Sequence, residues 1–315
     1  MKGGRGFRDP KVLLSFALIT LIWGSTWIVI KDQLGTVPPT WSVAYRFVIA
    51  CAAMFVFAAA TRAPLAMGWR GHALAATFGT PQFVLNFNFV YAAELYVTSG
   101  LVAVVFALLM VPNSALAWLF LEQRVTRRFL LGSLIACAGV ALLFVQEMRA
   151  SPASTREVAI GIGLTLLGVL SASAANVMQA GARMKARPIA TTLAWGMFYG
   201  VVGNVLLAWL WFGPPAIETR AGYWLGLLYL GLFASAAAFT LYFGIIRAVG
   251  PGKAAYSSLI VPVIAMAIST GVEGYRWSFL AAGGGALALV GMIIALAAGR
   301  PAAPEPEKPQ PAARA

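Results

Sequence analysis

The segment Val12–Ile30, VLLSFALITLIWGSTWIVI, runs for nineteen residues without one ionised side chain. A helix needs ~20 mostly apolar residues to cross the hydrocarbon core of a bilayer, so this stretch decides the fold class. It continues through bulky Trp27, Ile28 and Ile30 with no small-residue cleavage site, which predicts a retained span and not a removed signal peptide. Nine further windows qualify: Trp41–Ala60, Ala73–Tyr91, Val97–Leu121, Phe129–Gln146, Ala159–Ala180, Thr191–Phe212, Tyr223–Ile245, Ala254–Val272 and Trp277–Ala298. Turn or charge signals separate them, among them Gly35 with Pro38 and Pro39, Arg62 with Pro64, Pro214 with Pro215, and Gly250-Pro251-Gly252. The expected fold is an all-α polytopic membrane protein with ten transmembrane helices.

The composition of the whole chain agrees. Of 315 residues, 60% are hydrophobic and 10% charged, against roughly 25% charged in soluble domains. That excludes a soluble enzyme, a nucleic-acid-binding domain and a disordered chain. The net charge of +13 comes from short basic clusters between apolar runs, so the expected partners are the lipid bilayer and a small-molecule substrate, with no nucleic acid. Seventeen Lys and Arg residues fall at the termini and in alternate loops, five fall in the remaining loops, and Arg46 stands alone inside a span. By the positive-inside rule both termini are cytoplasmic, as in a multi-pass protein of the cell inner membrane. Cys51 and Cys137 lie inside apolar runs and His72 has no second ligand nearby, so neither a metal nor a cofactor is expected. Residues 299–315, rich in Pro, Ala and charge, read as a disordered cytoplasmic tail.

The two halves repeat each other. Phe120-Leu121-Glu122 leads to Gly132, and Gly271-Val272-Glu273 leads to Gly283, with the same Glu-to-Gly spacing; Pro112 and Pro262 precede these glutamates in mid-span. Five spans per half is an odd number, so residues 12–146 and 159–298 form inverted five-helix repeats, a recurrent design of secondary transporters with a site at the repeat interface. In the order and spacing of these segments, with LIWGSTW at 21–27, Tyr45-Arg46-Phe47, and the runs 91–112 and 242–262, the chain resembles the EamA-type transporters of the drug/metabolite transporter superfamily. The resemblance spans about Val12 to Ala298. It implies ten helices in two inverted repeats and the export of amino acids or related metabolites, other members carrying nucleotide sugars or phosphorylated sugars.

Candidate site residues are the polar and helix-breaking groups inside spans. Pro112 and Pro262 would free the carbonyls of Leu108 and Ser258, which in lipid must face protein or a wet cavity. Gln82 and Asn86 share a face of the third span; Asn176 and Gln179 lie along one face of the sixth, with Ser173; Asn113 is an isolated amide. Helix–helix hydrogen bonding explains such amides equally well, and for Asn204 it is the favoured reading. Trp23, Thr26 and Trp27 put two indoles and a hydroxyl on one face of the first span, too deep for an interfacial belt; a cavity wall and ordinary packing are both open. Trp195 and Tyr199 repeat that spacing. Arg46, ~7.5 Å from the nearer span end at helical rise, is expected to snorkel there and pair with Asp32, Glu94 or Glu273, the sharper alternative being a counter-ion for a substrate carboxylate. Stripes at Gly132, Ala136, Gly139 and at Gly284, Ala288, Gly291 allow close backbone approach, either within one chain or in a homodimer.

These features point to a transporter. No span carries paired carboxylates or a nucleophile–base set for an enzyme, a charge ring or carbonyl filter for a channel, or a phosphate-gripping loop for ATP drive. All ten acidic residues lie outside the span centres. The small multidrug-resistance branch of the superfamily uses a first-helix carboxylate to bind protons and cationic drugs in turn, so its absence here favours a neutral or zwitterionic amphipath, with multidrug or other metabolite efflux as the alternative.

Overall fold

The computed structural model describes residues 10–122, 126–150, 154–249 and 257–297, and every regular element among them is helical. The tail 299–315, the turn at 250–252 and the start of the Ala254–Val272 window lie outside the described residues. In chain order the rods are α1 (Pro10–Asp32), α2 (Pro39–Ala60), α3 (69–93), α4 (Ser99–Leu121), α5 (Arg127–Ala150), α6 (Thr155–Ala180), α7 (Ile189–Phe212), α8 (221–249), α9 (Ser257–Val272) and α10 (Phe279–Ala297). Six of them, α1, α2, α4, α6, α7 and α8, contain runs long and apolar enough to cross a membrane; α9 and α10 contain shorter apolar runs. The chain is a multi-pass membrane protein.

Local chemistry sets the ends and the irregularities. Pro39 opens α2 at a position where its missing N–H costs nothing. A capping box at Ser154 and Glu157, each side chain taking the other's backbone N–H, starts α6. Glu122 stops α4 in the left-handed conformation, with φ 53°. Pro81 stands at the head of a π-helical stretch, Thr80–Leu85, inside α3, and a second π stretch, Tyr229–Ala237, interrupts α8. Pro112 leaves the Leu108 carbonyl without its helical donor, and α4 tightens there into a 3₁₀ turn, Ala107–Leu109.

The helix contacts pair off under exchange of the two halves. Packing of α1 on α9 is matched by α6 on α4, α1 on α8 by α6 on α3, and α2 on α8 by α7 on α3. Helices α2 and α7 pack on each other, and so do α5 and α10. The last is the most extensive pairing among the described residues, and the glycine stripes make it: a Cβ on Gly139 would collide with the backbone of Ala288 and Gly284, and one on Gly291 with that of Ala136 and Gly132. The stripes are thus spent on contact within one chain.

The two ends of the bundle differ in their contacts. At one end the 61–68 connection meets the start of α7, where Thr191 Oγ1 donates to Pro64 O at 2.8 Å and Trp195 Nε1 to Leu65 O at 2.8 Å. The basic residues Arg62, Arg183, Lys185 and Arg187 lie in these connections. At the other end Arg220 pairs with Asp32 at 2.8 Å, Lys31 reaches the backbone of Glu94 and Val97, and Glu273 reaches Ser99.

Candidate functional site

Where the halves meet lies a cavity of about 150 Å³. Helix α1 presents Trp23, Thr26 and Trp27 to it. One indole is anchored: Trp23 Nε1 donates to Ala234 O at 3.2 Å, inside the π stretch of α8, and its ring meets Phe239 and Tyr242 edge-on. The Thr26 hydroxyl is turned back onto Ile22 O at 2.7 Å. Trp27 packs its ring near Phe106, and its Nε1 is buried with no partner.

The amides of α3 follow from its π stretch. The wider turn carries Gln82 and Asn86 onto the cavity wall, both nearly fully buried. Gln82 Oε1 and Asn86 Oδ1 have no protein partner; Asn86 Nδ2 reaches Gln82 O only at 3.5 Å. Asn113 from α4 is on the wall with Oδ1 also unpartnered, and Asn176 from α6 completes the set. From α9 come Ser257 and Pro262. Two expected residues are not brought to this wall: Pro112 lies beside it and acts through the 3₁₀ turn, which places Ala107, Leu109 and Met110 there, and Gln179 sits one turn beyond Asn176. The side chain of Ser258 lies outside the described residues.

Arg46 departs from the snorkelling expectation. It is 1% exposed and lines the cavity. Its Nε donates to Ser235 Oγ at 2.9 Å, its guanidinium lies 4.5 Å from the Phe87 ring centroid, and Nη1 has no partner. None of the three carboxylates proposed for it forms an ion pair with it among the described residues. Asp32 holds Arg220; Glu273 accepts from the N–H and hydroxyl of Ser99 at 3.2 and 2.5 Å; Glu94 has no side-chain hydrogen bond. Distance along the helix set the expectation, whereas rotation about the helix axis set the outcome.

The remaining polar groups pack. Asn204 joins α7 to α3, accepting from Asn88 Nδ2 at 2.6 Å and donating to Phe83 O at 2.9 Å. Trp195 and Tyr199 meet His72 and do not line the cavity, with Tyr199 Oη 3.2 Å from His72 Nδ1. Among the described residues no group of three His, Cys, Asp or Glu side chains is placed to hold a metal. Sequence reading missed Phe87, Phe106, Phe239 and Tyr242 on the wall, because an aromatic in an apolar run carries no mark of which face it takes.

The wall is therefore mostly apolar and aromatic, with few polar groups, as small-molecule sites are. Its unspent capacity is two-sided: donors at Trp27 Nε1 and Arg46 Nη1, acceptors at Gln82, Asn86 and Asn113. Among the described residues that line it, Arg46 is the one with a formal charge.

Comparison with known proteins places this geometry. The model of the EamA-like transporter family matches residues 10–145 and again 159–297. Protein PagO of Salmonella typhimurium is 26% identical over 86% of this chain and 88% of its own length. A probable amino-acid metabolite efflux pump of the same organism is 24% identical over 88% of this chain and 92% of its own. The uncharacterized inner membrane transporter YedA of Escherichia coli K12 is 30% identical over 82% of this chain and 81% of its own. A solved crystal structure, 19% identical, superposes with a TM-score of 0.66 over 90% of this chain and 96% of that one.

Proposed function

The chain belongs to the EamA-like transporter family, and from that premise we propose that it is an inner-membrane secondary transporter exporting amino acids or related small amphipathic metabolites. In this reading all ten rods cross the bilayer, the repeats are inverted, both termini are cytoplasmic, and access alternates at the interface that holds the cavity. One observation carries the substrate class: unpartnered buried donors and acceptors share a single aromatic wall with one cation, Arg46. Buried polar groups need partners, and a zwitterion supplies them. Its carboxylate suits Arg46 and the Trp27 indole, its ammonium suits the amide oxygens, and its apolar part suits Trp23, Phe106 and Phe239. The name of the Salmonella efflux pump agrees with this class.

The second reading, multidrug efflux, draws on the same aromatic lining. Against it stands Arg46, which repels a permanent cation at a depth where unpaired charge is costly. Expression in a drug-sensitive bacterial strain tests the choice. The expected result is no gain in resistance to quaternary ammonium compounds; strong resistance, abolished by collapsing the proton gradient, would overturn the zwitterion reading.

A further inference from the structure

Away from the cavity, the Glu94 carboxyl has no assigned use. It sits in the connection between α3 and α4, fully buried, and neither oxygen has a hydrogen-bond partner. Four groups bear on it electrostatically: Lys31 at the end of α1, Arg46 on α2, Tyr91 on α3 and Glu273 after α9. Lys31 is turned to main chain, its Nζ donating to the carbonyls of Glu94 itself and of Val97, and Glu273 is held by Ser99. These contacts lie at the end of the molecule away from the 61–68 connection, and the Glu273–Ser99 contact joins the second half to the first.

A carboxylate shut from water without donors is unfavourable, and such a group takes up a proton instead. Burial pushes the Glu94 carboxyl well above the usual carboxylate range; Glu273 adds to the push, and Lys31 and Arg46 oppose it without cancelling it. We propose that Glu94 is a proton-binding site that latches this end of the transporter. With the end closed, the carboxyl keeps its proton. On opening, its O–H bond breaks heterolytically, the proton passes to outside water, and the hydrated carboxylate is free to pair with Lys31. Because the closed form holds the proton more tightly than the open one, low external pH favours closure, and opening becomes easier as pH rises towards the closed-state pKa. Glu94 is not on the cavity wall, so its proton gates the path without competing for the substrate's place. The inference rests on the proposed topology only for which side is outside.

The test uses whole cells expressing the full chain with Cys51→Ala, Cys137→Ala and a reporter cysteine, Val97→Cys, in the closed seam where Val97 is 3% exposed. Labelling by a membrane-impermeant maleimide is followed against external pH and normalised to the unfolded protein. It should rise by up to about tenfold per pH unit below the closed-state pKa, the limit for one linked proton. In Glu94→Gln it should stay low and flat, and Glu94→Asp should restore the slope. Purified wild-type protein should show a carboxylic-acid infrared band at neutral pH that is missing in Glu94→Gln and displaced in Glu94→Asp. An unchanged labelling profile in Glu94→Gln, or no band that responds to either substitution, would overturn the proposal. If the Gln variant fails to reach the membrane, the wild-type infrared titration and the Asp variant decide. The same pH profile obtained only from the cytoplasmic side would overturn the topology and leave the proton site standing.

Discussion

At the scale of single residues, two asparagines separate site from scaffold. Asn86 has an unpartnered Oδ1 on the cavity wall, whereas Asn204 is fully used in joining α7 to α3. Asn86→Leu removes an acceptor for substrate and no strong protein contact, so flux should fall by about tenfold or more with membrane abundance unchanged, the loss of one good polar contact being worth ~1.5 kcal/mol. Asn204→Leu should instead lower thermal stability by about 0.6–1.7 kcal/mol, the range for interhelical hydrogen bonds in membranes, and leave the flux of surviving protein intact. Quantitative blots beside initial-rate measurements check both; equal loss of abundance in the two variants would return Asn86 to a packing role. These amides were legible in the sequence because a polar group inside an apolar run must be explained. Arg46 was legible as important and misread in direction, since its partners Ser235 and Phe87 come from separate helices that no local pattern connects.

At the scale of elements, irregularity marks the path. The 3₁₀ turn of α4 and the π stretch of α3 lie where Pro112 and Pro81 remove donors, whereas α9 runs as one helix through Pro262. The π stretch of α8, which offers its Ala234 carbonyl to Trp23, has no proline to announce it and was invisible in the sequence. The glycine stripes were plain, yet their partner was not: spacing shows that a helix can be approached closely, and only the assembled chain shows that α5 and α10 approach each other. A side chain at that contact must force the backbones apart. Gly139→Leu should therefore destabilise the protein by 1–3 kcal/mol or more, the cost of overpacking, and reduce its amount in the membrane. Gly163→Leu on α6, where a Cβ meets nothing within 4 Å, should not. Thermal aggregation curves in detergent separate the two, and equal curves would deny that the α5–α10 contact holds the halves together.

At the scale of the whole molecule, the account joins a two-fold pattern of helix contacts, a cavity at its centre, and an end closed by Lys31, Glu94, Ser99 and Glu273. Hydropathy made the helical fold readable in the sequence, because in a bilayer a long uncharged run has few other structures open to it. The cavity was readable in part, through Trp23, Trp27, Gln82, Asn86, Asn113 and Asn176; its aromatic remainder depends on helix rotation, which packing decides. The central claim is that a small zwitterionic amphipath crosses through this cavity. Counterflow in proteoliposomes reconstituted with the purified chain, over a panel of labelled amino acids, tests it most directly. The account predicts saturable exchange of at least one apolar or aromatic amino acid, strongly reduced in Asn86→Leu at equal reconstitution. Absence of exchange for every amino acid on the panel, or exchange indifferent to Asn86→Leu and Asn176→Leu together, would contradict it.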